Sequence, residues 1–280
     1  MIFASASNGC LKSYVKPTEP PPQIMKRSAD EILTMVSQRA HAIQQVKTLI
    51  TIEIHGKRPP AFIMQSQGFQ AALWAQPPGQ IRLQGFNPMG GILFDLISED
   101  GHLKVSAPGQ PEAVQETLER LLVREGQKSS FSSLQVLDTL ASGGQPLIRS
   151  SEFSAVEQTA DEIILYQFLL NSNGKAHLVR KYWLESNNLL AKQAVYFDAS
   201  GRPLITVLYN DYQSIPSPKE VSTLAGEAAV PFGAASGENF WPRKITMDLN
   251  GRTQLLTTFH EVKLNQPFQN GAFSSGVSPR

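Results

Sequence analysis

Apolar residues recur every three or four positions in only a few stretches of this chain, and elsewhere they alternate every second position. The first helical stretch carries Ile32, Met35, Val36, Ala40 and Ile43 on one face. Ser28 and Glu31 precede it with capping-box spacing, each side chain placed to satisfy a free amide of the first turn. A helix over 29–45 is predicted. From Val46 the period becomes two, and strands are expected at 49–55, 61–67, 70–76, 80–85, 92–98 and 102–107. Helical spacing returns at 111–122, where Val114, Leu118, Leu121 and Leu122 share a face, and again at 133–140, before Gly143-Gly144. Strands resume at 162–170, 176–185, 189–198, 203–212, 243–250 and 253–262.

The connections carry turn chemistry. Asp100-Gly101, Asn173-Gly174, Ser200-Gly201 and Asn250-Gly251 each sit between apolar runs and supply the positive φ of a hairpin. Two helices that interrupt the strands, instead of alternating with them, argue against a parallel βαβ sheet and for an antiparallel meander. The run 163–170 is apolar on both faces and should be covered on both sides. A Pro-, Ser-, Ala- and Gly-rich stretch, 215–237, reads as a long loop with a short helix near 220–225.

Composition narrows the function classes. The 280 residues suffice for one large domain or two small ones, and 41% apolar with 18% charged residues is ordinary for a globular chain. A formal charge of +1 and the lack of a Lys/Arg-rich run give no electrostatic reason to expect nucleic acid. The single cysteine, Cys10, excludes an intrachain disulfide and any CxxC site. Small and apolar residues precede it, and a polar, Pro-rich stretch with Pro20-Pro21-Pro22 follows. That is the arrangement of a bacterial lipoprotein cleavage site, where acylation of Cys10 would anchor the chain through lipid. A full signal peptide needs a basic segment and a longer apolar one than Met1–Gly9 provides. Either the start lies upstream, or Cys10 is a free thiol in a tail.

The order of elements resembles the family of periplasmic lipoprotein carriers and outer-membrane lipoprotein receptors, over roughly residues 28–273. Local phrases carry it: 80–90 followed by Phe94-Asp95-Leu96, then 196–203 with Tyr209-Asn210-Asp211-Tyr212, and Leu264-Asn265-Gln266-Pro267-Phe268-Gln269 with Phe273. The resemblance implies a mainly β, α+β fold: an incompletely closed antiparallel barrel or curved sheet with an N-terminal helix and a helical lid. It also implies an apolar interior that receives acyl chains. Residues 1–27 would then be signal remnant, lipidation site and tether, and 28–280 a single domain on the periplasmic face of the cell envelope, anchored to the outer membrane through Cys10.

Acyl-chain binding needs apolar side chains on one strand phase, since burial alone is worth about 25 cal/mol per Å². The candidate lining is Leu73, Ile81, Leu83, Ile92, Phe94, Leu96, Leu165, Leu169, Val195, Phe197, Ile245, Met247 and Leu249. The same alternation fills a closed core as readily as it lines a cavity. Catalytic chemistry finds little purchase. Ala272-Phe273-Ser274-Ser275-Gly276 lacks the first glycine of a nucleophile elbow. The five histidines are scattered without metal-ligand spacing, and Glu99-Asp100 and Asp161-Glu162 sit where charges are simply solvated. No enzyme, metal or cofactor is expected. The expected partner is a lipid or acylated protein. The alternative is an envelope protein-interaction or stress-sensing module on the same scaffold.

Overall fold

Helix α1 (Ala29–Ala42) forms where its capping box predicts. Ser28 N–H donates to Glu31 Oε2 at 2.7 Å and Glu31 N–H donates to Ser28 Oγ at 3.2 Å. Asp30 and Glu31 in the first turn, with Arg39 and His41 in the last, complement the helix dipole. The helix stops three residues short of its predicted end because Asn265, from the far end of the chain, caps it. Asn265 Nδ2 donates to the Ala42 carbonyl at 2.7 Å, while its Oδ1 accepts from the Gln44 and Gln45 amides.

In the computed structural model the described residues are 27–56, 68–77, 79–99, 102–106, 133–149, 151–159, 161–171, 173–216, 238–249, 251, 253–268 and 272–273. The strand predicted at 61–67, the helix at 111–122, the turn Asp100-Gly101, most of the 215–237 loop and Cys10 lie outside them. Among the described residues twelve strands follow α1: β1 (Val46–Gly56), β2 (Gly68–Gln76), β3 (Gln80–Phe86), β4 (Ile92–Glu99), β5 (His102–Ser106), β6 (Glu152–Gln158), β7 (Glu162–Leu170), β8 (Ala176–Glu185), β9 (Ala191–Phe197), β10 (Pro203–Pro216), β11 (Glu238–Leu249) and β12 (Thr253–Leu264). Helix α2 (Ser133–Ser142) falls between β5 and β6.

All twelve strands belong to one antiparallel sheet, in the order β5-β4-β3-β2-β1-β12-β11-β10-β9-β8-β7-β6. Every neighbouring pair is a sequence hairpin except β1·β12, which joins the first strand set to the second by pairing Val46 with Leu264 and Gly56 with Thr253. The sheet is not closed: β5 and β6 are its two edges. The fold is therefore the incompletely closed antiparallel barrel with an N-terminal helix and one further described helix that the resemblance implies. One side of the sheet, here the inner face, carries the large buried apolar residues and receives both helices. Ile32 and Val36 of α1 and Val136, Leu137, Leu140 and Ala141 of α2 join that single core.

Candidate functional site

Register fixes which side chains share the inner face. Ile50 of β1 lies beside Ala71 of β2, and Thr48 beside Leu73. Leu73 faces Leu83 of β3, and Leu83 faces Leu96 of β4. On the other half Ile245 lies beside Tyr209 of β10, and Ile205 beside Tyr196 of β9. The result is an apolar trough floored by both strand sets. Phe94 lies flat over Gly85, where a Cβ would overlap its ring, and meets Phe69 edge-on at 5.2 Å.

Nine of the thirteen candidate lining residues enter this core: Leu73, Ile81, Leu83, Phe94, Leu96, Leu165, Ile245, Met247 and Leu249. Four do not. Ile92 is 45% exposed, because a register shift at Gly85/Phe86 pairs it with Phe86 and breaks its alternation with Phe94. Val195 pairs with Thr206 in the row opposite to Tyr196, so it is buried on the outer face, and Phe197 follows it by alternation. Leu169 lies beyond the shift at Gln167/Phe168 and is only half-buried. The inner row of β9 is instead Ala194 and Tyr196, which the apolar phase of Val195 and Phe197 hides in the sequence.

α2 occupies the trough. It contacts β2 and β3 on one side, and Thr139 Oγ1, which donates to the Gln135 carbonyl, accepts from Tyr196 Oη of β9 at 2.9 Å. Its exit is moulded onto aromatic rings: a Cβ on Gly143 would stand 2.7 Å from the Trp241 ring, and one on Gly144 2.6 Å from Tyr212 Oη. Both glycines have positive φ. Trp241 is fully buried and meets Phe259 edge-on at 5.9 Å. Burial drives the hydroxyls of Tyr182, Tyr209 and Tyr212 to raised pKa, so they stay protonated, and Tyr212 donates to the Ala191 carbonyl at 2.9 Å.

Toward the β6 edge the inner face becomes polar. Arg180 of β8 forms an ion pair with Glu152 of β6, with only 9% and 6% of the two side chains exposed. Burial opposes the guanidinium charge, but the neutral phenol oxygens of Tyr182 and Tyr196 and the Glu152 carboxylate beside it keep Arg180 protonated. Gln167 of β7 donates to the Leu147 carbonyl at 2.9 Å. Asp138 of α2 pairs with Arg149 at 2.6 Å, and burial raises its pKa against the pull of that arginine. Sequence reasoning missed this end altogether, because β6 alternates without an apolar inner row.

The outer face near β2–β4 serves as a clasp. Arg82 bonds both oxygens of Asp95, at 2.9 and 2.5 Å, donates to the Ala272 carbonyl at 2.7 Å, and stacks over Trp74. Phe268 and Phe273 pack edge-on at 5.2 Å in the same closing segment. Among the described residues no three His, Cys, Asp or Glu side chains are grouped to hold a metal, and no helix is long and apolar enough to cross a membrane.

No protein-family model matches the sequence, and no curated protein is similar to it in sequence. Solved structures are similar in fold. A domain described as an outer membrane lipoprotein-sorting protein, from Vibrio parahaemolyticus, superposes with a TM-score of 0.53 at 9% identity, over 88% of this chain and 96% of its own. A LolA superfamily protein from Nitrosomonas europaea gives 0.51 at 14% identity, over 86% and 97%. A DUF1329 family protein from Desulfovibrio piger gives 0.52 at 10% identity, over 88% and 96%. At such identities the likeness is one of fold, and the chain has the fold of these lipoprotein-sorting and LolA superfamily domains.

Proposed function

We propose that this protein binds acyl chains, of a lipid or an acylated protein, in the trough beneath α2, without chemistry, in the cell envelope. The observation that carries the reading is that α2 fills an apolar trough with few polar ties. Val136, Leu137, Leu140 and Ala141 are buried there, and the described polar bond from α2 to the sheet is the one between Thr139 and Tyr196. Burying three large aliphatic side chains is worth roughly 5–9 kcal/mol, and an acyl segment of about ten methylenes gains about 8 kcal/mol. Helix and acyl chain are thus near-equal competitors for one site, which is what a carrier that loads and unloads requires. A fold shared with domains named for lipoprotein sorting supports the same reading.

The competition sets the sign of the test. Leu137→Ala weakens the covered state by about 2–5 kcal/mol, and apparent affinity rises with the open fraction. A fluorescent fatty acid titrated into the variant should therefore bind more tightly than to the wild type, while the ligand-free protein melts earlier. Unchanged or weaker binding would contradict displacement of α2.

Anchoring through Cys10 belongs to the same proposal. Metabolic labelling with a palmitate analogue should mark the wild type and spare Cys10→Ser; an unlabelled wild type would leave Cys10 a plain thiol.

A further inference from the structure

Removing α2 from the trough has a polar consequence on the sheet beneath it. Tyr196 Oη of β9 donates to Thr139 Oγ1 of α2 at 2.9 Å, because the Thr139 hydroxyl proton already goes to the Gln135 carbonyl. Tyr196 is buried and aims its donor at the helix. Tyr209 of β10 lies beside it and also faces α2: a Cβ on Gly144 would stand 3.0 Å from its ring. The Tyr209 hydroxyl is buried and makes no hydrogen bond of good geometry. Burial raises its pKa, so it keeps its proton and stays a donor. An acyl chain that replaced α2 with methylenes alone would leave two phenols under cover without an acceptor. A buried donor left that way costs its full desolvation.

The charge pattern narrows the acceptor. Tyr182 and Arg180 of β8 lie alongside, Arg180 directly opposite Tyr196 in the β8·β9 ladder, and its charge is already matched by Glu152. A carboxylate or phosphate would therefore enter a dry site that holds no uncompensated cation. An uncharged carbonyl brings two lone pairs and no charge, which suits two phenol donors. Ile205 and Val207 of β10 and Ala194 of β9, on the same inner face, supply apolar surface beside the hydroxyls. We infer that Tyr196 and Tyr209 form a carbonyl subsite in the trough, which takes the ester or amide carbonyl of a linked acyl chain and fixes how deep that chain lies. The inference rests on acyl binding in the trough.

Two lysophosphatidylcholines test it, one with a palmitoyl ester and one with a hexadecyl ether, alike in head and chain and different only at the carbonyl. Each is used to displace a fluorescent fatty acid from the full chain, and the ratio of their affinities is read. A change in the open fraction of α2 multiplies both affinities alike and cancels in the ratio. The wild type should favour the ester by roughly 2–10-fold, the worth of one hydrogen bond. Tyr196→Phe and Tyr209→Phe should each lower that preference. Thr139→Val removes the helix partner but leaves both phenols, so it should tighten both lipids and keep the ratio. Equal affinities in the wild type, a fatty acid that neither lipid displaces, a preference that survives either tyrosine substitution, or its loss in Thr139→Val would overturn the subsite and leave acyl binding standing. A wild type that binds neither the fatty acid nor the lipids would overturn both.

Discussion

Asn87, Asn171 and Asp198 each begin a hairpin in the same way. The side-chain Oδ1 accepts two backbone N–H groups, from Met89 and Gly91, from Asn173 and Lys175, and from Ser200 and Arg202. Three residues on, Gly90, Gly174 and Gly201 take positive φ and return the strand. Asp198 carries a titration as well. The Ser200 hydroxyl, with the Arg202 and Ser200 amides, holds its carboxyl down at about 2, against an ordinary 3.8. A depressed carboxylate contributes stability that is present above the unfolded value and lost as pH falls through the folded one. Asp198→Asn keeps the acceptor oxygen and removes the charge. Urea midpoints should therefore favour the wild type over Asp198→Asn near neutral pH, and the gap should shrink as pH falls from 3.8 toward 2. A gap that stays constant through that window would show that the charge of Asp198 does not contribute.

At the scale of elements, α2 is set by its exit as much as by its apolar face. Gly143 has φ +55° and Gly174 has φ +72°, so alanine at either position is strained. They differ in surroundings: the new methyl would collide with buried Trp241 at position 143 and meet open space at 174. Overpacking adds about 1–3 kcal/mol, so Gly143→Ala should lose that much more unfolding free energy in urea than Gly174→Ala. Equal losses would mean that the exit of α2 is not held by Trp241. The strands were legible in the sequence wherever one face was apolar, and 162–170 and 176–185 match the observed β7 and β8 residue for residue. β11 begins at Glu238, five residues before its expected start. Pro242 argues against a strand there, yet it faces Tyr212 in unchanged register, next to Asp211, which takes positive φ. β6 escaped notice because its inner row, Glu152, Ser154, Val156 and Gln158, holds a single apolar residue and so shows no apolar alternation. Bulges explain the misplacement of Ile92, since one inserted residue inverts every side chain beyond it.

For the molecule as a whole, joining β1 to β12 brings the two strand sets into one sheet and leaves β5 and β6 as free edges. α1 lies against β6, fastened at its end by Asn265 and to the β8–β9 turn by Arg39, which donates to the Asn188 carbonyl. Such contacts join residues more than a hundred positions apart, so no local pattern reveals them, whereas the apolar trough follows from alternation along each strand. The sheet supplies the apolar surface and α2 occupies it, and the proposed acyl binding would exchange one occupant for another. The most direct test is mass spectrometry of an organic extract of the full chain, purified after export to the periplasm. The account predicts phospholipid or acyl chains at stoichiometric amounts, or stoichiometric uptake when lipid is added to delipidated protein. A clean extract with no uptake of added lipid would contradict it, leaving α2 a permanent part of a filled core and the scaffold a protein-interaction module.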